Sequence, residues 1–285
     1  MNKNTKLNNW DLIIKPKSNI FEFNYREIYH YRDLIFLFVK RDFVTFYKQT
    51  ILGPLWYIIQ PLVNTIVFTI IFGKLAKIPT DGSTPFLFYM AGNVAWGYFA
   101  ICLSSTSNIF VANKDLFGKV YFPRLVVPIA NVIISLMQFL IQFSLFICFL
   151  VYFYFNGLEL NIGLNIFLVP LLVLQTAFLG LGTGILISSL TSKYRDLTFA
   201  MGFAVQLWMY ATPIVFPLSI IPEKYRIIAA INPMTSIVEV FKKIFLGTSA
   251  IEISHIFISI LSTLIIFIFG LLMFSKIEKN FMDTV

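Results

Sequence analysis

Six stretches of this sequence are bounded by charged residues and contain no Lys, Arg, Asp or Glu. They run from Lys48 to Lys74, Asp81 to Lys114, Arg124 to Glu159, Glu159 to Lys193, Asp196 to Glu223 and Glu252 to Lys276. Each exceeds the roughly 20 residues that a helix needs to cross about 30 Å of hydrocarbon. A backbone in lipid must satisfy its own hydrogen bonds, so only helices or closed barrels span a bilayer. The runs do not alternate polar with apolar, as barrel strands must, so they read as helices. Composition agrees: 58% of the 285 residues are hydrophobic and 13% are charged, against about one quarter charged in a soluble domain. The expected fold class is an all-α integral membrane protein with six transmembrane helices, at about 54–76, 86–109, 125–155, 162–192, 198–220 and 253–275. Residues 1–50 form a cytoplasmic N-terminal arm, and 51–285 form the six-helix domain.

Six crossings place both termini on one side. If that side is the cytoplasm, 16 of the Lys and Arg residues lie inside and 6 outside, as the positive-inside bias requires. Basic charge is thus a signal of topology and of anionic headgroups, not of nucleic acid. The first 30 residues are polar with no continuous apolar core, so no cleavable signal sequence is expected. Cys102 and Cys148 fall inside predicted membrane helices and read as packing residues.

Within the arm, residues 28–50 interleave Leu34, Leu37, Phe38 and Arg41 at helical spacing with further charges. This is the pattern of an amphipathic helix lying in the inner interface. The last external loop, 222–252, holds short apolar runs at 227–231 and 237–241 broken by Asn232-Pro233. Runs so short cannot span and read as re-entrant helices, with Lys242 and Lys243 at the outer headgroups.

Enzymatic or ion-coupled chemistry in the membrane needs ionisable groups at depth, and the apolar stretches supply almost none. There is no HExxH, no paired carboxylates and no Ser/His/Asp arrangement. The Gly-Lys pairs at 73–74 and 118–119 lack the following Ser or Thr of a phosphate-binding loop. Energy for active transport must therefore come from a partner. The topology leaves two internal cytoplasmic loops, "NKDLFGKVYFPRLVVP" (113–128) and "SKYRD" (192–196). Both are short and set charge beside an aromatic, which suits docking of a soluble partner. Pro123 and Pro128 flank Arg124 and stiffen its connection to the third helix.

Five strings occur in order along nearly the whole chain: "LGPLWYIIQPLVNTIVFTIIFGKL" (52–75), "KVYFPRLVVPIANVI" (119–133), "SSLTSKYRDL" (188–197), "YATPIVFP" (210–217) and "INPMTSIVEVFK" (231–242). Together they resemble the membrane permease subunit of ABC type-2 exporters, in the branch that handles O-antigen, capsule and teichoic acid. The resemblance implies two permease copies paired with two cytoplasmic ATPase subunits that bind ATP and magnesium. This chain would then be no enzyme and would hold no cofactor or metal. The loop with Lys119, Tyr121 and Arg124 resembles the family's coupling helix, and 222–250 its outer gate helices. Tyr194, Arg195 and Asp196 form the second expected docking point. The implied substrate is a glycan on a polyprenyl-diphosphate lipid, moved between leaflets of the inner membrane.

A passing sugar polymer needs a wall that grips weakly, and aromatic faces with Tyr and Trp polar tips supply one. The expected path residues are Trp56, Tyr57, Phe68 and Phe72 on the first helix and Phe203, Trp208 and Tyr210 on the fifth. Trp208 and Tyr210 are expected to share one stretch of wall, and Phe146 and Phe267 to face lipid. "GLGTG" (180–184) lies inside a membrane helix and reads as a close helix contact. Within the same fold the alternatives are a teichoic acid, drug or small-lipid exporter. A membrane glycosyltransferase would need grouped acidic residues, and Asp81, Glu159, Glu223, Glu239 and Glu252 are scattered. A secondary carrier is disfavoured by the lack of buried charge and of an internal repeat.

Overall fold

The computed structural model describes residues 25–49, 52–158, 163–194 and 196–284. Among the described residues there is no strand. The arm contributes α1 (Tyr25–His30) and α2 (Arg32–Gln49), and residues 1–24 of it lie outside the described residues. Then come α3 (Trp56–Phe68, prolonged by a wider π-helical stretch to Leu75), α4 (Pro85–Ser107), the short α5 (Ile109–Ala112) and α6 (Lys114–Lys119), and α7 (Val126–Phe155). The second half holds α8 (Val169–Thr191), α9 (Leu197–Tyr210), α10 (Glu223–Ile231), α11 (Pro233–Leu246) and α12 (Ile253–Thr284).

Five helices among the described residues are long and apolar enough to cross a membrane: Trp56–Leu75, Pro85–Ser107, Val126–Phe155, Asn165–Thr191 and Ile253–Ile277. The expected fifth crossing at 198–220 departs from this. It is helical only over the 14 residues Leu197–Tyr210, about 21 Å at 1.5 Å per residue, and then runs in turns to a 3₁₀ segment at Leu218–Ile220. The cause is Pro213 and Pro217. Proline has no N–H to donate and disfavours helical conformation in the residue before it. Continuous apolar character concealed a break in the helix.

α4 is the central helix, with 72% of its apolar window buried against 11% for that of α3. α7, α8 and α11 pack around it, and the main core joins Leu87, Met90 and Phe99 of α4 to Phe139 and Phe146 of α7 and Phe241 and Phe245 of α11. Phe146, expected at lipid, is fully buried. Its ring lies 5.8 Å from Phe241 and 5.3 Å from Phe245. The helix α11, invisible as a partner in the linear sequence, occupies the side where lipid was expected.

The GLGTG stretch brings α8 close to two neighbours. A methyl group at Gly182 would lie 2.6 Å from Phe267 Cα of α12, and one at Gly184 would collide with Thr106 of α4. Small residues permit this approach. Gly270 on α12 faces the Gly182 carbonyl, so the α8–α12 contact is small-on-small from both sides.

Candidate functional site

At one end of the bundle, α4 and α8 finish side by side. Thr191 Oγ1 donates to the Ser107 carbonyl at 2.9 Å, and the Phe110 amide donates to Ser188 Oγ at 3.5 Å. The segments 108–125 and 192–196 leave from these tied ends, so the two charged loops emerge together. Lys119 closes α6 and is exposed, and Tyr121 is 60% exposed. Arg124 is half-buried with its guanidinium 5.8 Å from the Phe117 ring centroid. Tyr194 is exposed beneath the Lys193 ammonium, 5.3 Å from its ring. Asp196 accepts from the Leu197 amide at 3.1 Å and so starts α9, with its negative charge at the positive end of a helix. Arg195 lies outside the described residues.

Beneath this surface lies a chain of rings. Phe38 of α2 meets Phe122 at 5.9 Å, and Phe122 meets Phe117 at 5.7 Å. Phe117 meets Phe110 at 6.0 Å, and Phe110 stacks on Phe274 of α12 at 4.9 Å. Arg41 caps the far side of Phe38 at 4.8 Å. The short helices α5 and α6 are thus joined through aromatic contacts to the arm and to the last helix. α2 uses Ile35 and Phe38 for this packing and leaves Phe36 and Leu37 exposed, so it is apolar on two sides and not one.

The opposite end is built around the break after α9. Asn232 sits between α10 and α11, and its Oδ1 accepts from Trp208 Nε1 at 3.0 Å and from the Met234 amide at 3.1 Å. Its Nδ2 donates to Thr212 Oγ1 at 3.0 Å. One side chain caps α11 and also holds the end of α9. Deeper in, Lys242 and Glu239 form an ion pair at 3.6 Å, with side chains 0% and 1% exposed. Lys242 Nζ donates to the Pro213 carbonyl at 2.6 Å and stands 3.5 Å from the centroid of the Phe88 ring. Glu239 accepts from Ser249 Oγ at 2.8 Å. Burial pushes the Lys242 ammonium down and the Glu239 carboxyl up, and the charge of each opposes the shift of the other.

Two expectations are corrected here. Lys242 is not at the headgroups, though its neighbour Lys243 is exposed. Nor is the chain without buried charge. The pair is legible in the sequence as an acid and a base three residues apart on one helix face. Reading Lys242 together with Lys243 as headgroup-facing hid that face, which turns inward with the buried Ile237, Val238 and Phe241.

The expected path residues do not share one environment. Trp56 is exposed, and Tyr57 accepts from Gln138 Nε2 at 2.8 Å. Phe68 and Phe72 pair at 5.4 Å and both lie against Tyr89 of α4. On α9, Phe203 is 66% exposed and Tyr210 is exposed, whereas Trp208 packs on Phe99 at 5.0 Å and Trp96 at 6.5 Å. Trp208 and Tyr210 therefore occupy different faces of α9. The outward face of α9, with Phe199, Phe203 and Leu207, has no covering partner among the described residues.

Residues 33–246 match the family described as ABC-2 type transporter. Two proteins of Klebsiella pneumoniae, each described as O-antigen export system permease protein RfbA, are 27% identical to this chain over 251 residues, covering 88% of it and 94% of each of them. A protein of the same description from Myxococcus xanthus is 27% identical over 228 residues, covering 77% of this chain and 83% of its own. The family match runs from α2 through the paired loops and the central bundle to the end of α11, and so takes in both ends described above. With its apolar, multi-helical membrane bundle, the chain belongs to the ABC-2 type transporter membrane family.

Proposed function

We propose that this chain is the permease of an ATP-driven exporter that moves a lipid-linked polysaccharide of O-antigen type across the inner membrane. The observation that carries this reading is the likeness, over nearly the full length of both chains, to proteins described as O-antigen export permeases. In this reading two copies assemble with two cytoplasmic ATPase subunits, which bind ATP and magnesium. Both termini and the paired loops lie in the cytoplasm. α9 together with the turns after it completes a sixth crossing, and α10 and α11 sit re-entrant in the outer leaflet. Lys119, Tyr121, Arg124, Tyr194, Arg195 and Asp196 form the docking surface for the ATPase. The substrate is a glycan on polyprenyl diphosphate.

The aromatic path is retained in altered form. Trp56, Phe203 and Tyr210 are the candidates for a wall between two copies, because they are exposed on the single chain. Tyr57, Phe68, Phe72 and Trp208 support that wall from behind through the contacts given above. The test is reconstitution. The purified chain alone should hydrolyse no ATP, and deletion of its gene should strip the glycan from the cell surface until the chain and an ATPase subunit are both restored. ATP hydrolysis by the chain free of any partner would overturn the reading, as would full surface glycan in the deletion strain.

A further inference from the structure

We propose that Lys242 and Glu239 are positioning residues for export: they hold the bend of the fifth apolar segment at Pro213 against α11 and so set the shape of the outer mouth. This rests on the permease reading above, but the contacts stand by themselves. The bend exists because Pro213 and Pro217 interrupt the helix, and an interrupted helix leaves backbone carbonyls without their intrahelical donors. Buried away from water, such a carbonyl must find a partner. Pro213 finds the Lys242 ammonium at 2.6 Å.

The remaining partners of that ammonium are Glu239 on the same helix and the Phe88 face on α4. Lys242 therefore joins three elements at one atom: the bend, α11 and α4. α11 itself is anchored, since 12 of its 14 residues are buried. α9 has none buried. The joint thus latches a closely packed helix to a looser one, whose core contacts come from half-buried residues such as Met201, Val205 and Trp208.

Stability alone does not account for the pair. A buried ion pair gives back little beyond its desolvation cost, and apolar or neutral residues of similar volume are often as stable. What the pair adds is geometry: a point donor at the end of a four-carbon stem reaches the Pro213 carbonyl, and a methionine of similar length reaches it with nothing to donate.

The test uses the full chain in cells that also make its ATPase subunit, with Cys148 replaced by Ala. Ile214 and Val215, buried beside the bend, are changed in turn to Cys and probed from outside with a membrane-impermeant maleimide. Labelling should be slow in the parent and at least about tenfold faster when Lys242→Met is combined with Glu239→Gln. The double variant should insert and melt as the parent does, lose most surface glycan, and keep its ATPase activity in membranes. Exchanging the two charges, Glu239→Lys with Lys242→Glu, restores an ion pair but not the bond to Pro213, and should not restore export. Unchanged labelling, normal export by the double variant, or rescue by the charge exchange would each overturn the proposal. So would a double variant that fails to insert, since the pair would then hold up the fold and not the mouth. A parent that exports no glycan would instead count against the permease reading, while the labelling still decides the latch.

Discussion

Trp208 and Tyr210 show how much two aromatics only two residues apart can differ in what they do. Two residues along a helix correspond to about 200° of rotation at 3.6 residues per turn, so a shared wall was never available to them. Trp208 spends its N–H on Asn232 and its ring on Phe99 and Trp96. Tyr210 keeps its ring exposed. Trp208→Ala should therefore destabilise the purified protein by about 3 kcal/mol, as large-to-small changes at packed aromatics do, and Asn232→Ala should reproduce part of that loss. Tyr210→Ala should leave thermal stability within about 0.5 kcal/mol, as at ordinary surface positions, and slow export several-fold. Melting curves in detergent and surface glycan at matched expression separate the two. Equal stability losses would mean that Tyr210 is a packing residue as well.

The end of the bundle that carries the two charged loops is a unit assembled from several elements. α6 is only six residues long, too short to be stable alone, and it is held by the ring contacts from Phe38 to Phe274. Tyr121 and Arg124, the proposed docking residues, sit in a loop whose rings touch α2 and α12 and whose chain continues directly into α7. Arg124→Glu should reverse the charge offered to the ATPase and lower recovery of the complex at least several-fold, with the chain still inserted. Phe274→Ala, at the inner end of the stack, should leave complex recovery intact and reduce export for each ATP hydrolysed. Co-purification together with an ATPase-to-export ratio measures both. A Phe274→Ala variant with normal coupling would mean that the rings only fill space.

For the molecule as a whole, the proposed six-crossing topology puts 76–84, 156–158 and 221–252 at one end and α2 with the two charged loops at the other. Contacts between distant segments tie the first of these ends together: Ser83 Oγ lies 2.7 Å from Thr248 Oγ1, and Ser219 Oγ donates to Asp81 at 2.7 Å. Single cysteines at Lys77, Lys224 and Ile228 should label from outside in intact cells. Cysteines at Lys119 and Lys193 should label only after permeabilisation. A single reversal within either set would break the six-crossing topology. Ser236 is unsuitable for such labelling despite its place in the outer segment, because it is buried and donates to the His255 carbonyl.

Membrane residence, helical class and most helix ends were readable in the residues, because lipid forbids charge and unsatisfied backbone over a known length, and that rule acts locally along the chain. The two charged loops were readable for the same reason: charge in so apolar a sequence collects where the chain leaves the membrane. The broken fifth segment was half-readable, since Pro213 and Pro217 stand in plain view, but apolar composition does not distinguish a continuous helix from an interrupted one. The inward face of α11, the burial of Lys242 and Phe146, and the divergence of Trp208 from Tyr210 depend on which helices become neighbours. Burial is a property of pairs of elements. A lysine can be read as headgroup-facing until a phenylalanine from 154 residues earlier and a proline carbonyl from 29 residues earlier are folded against it.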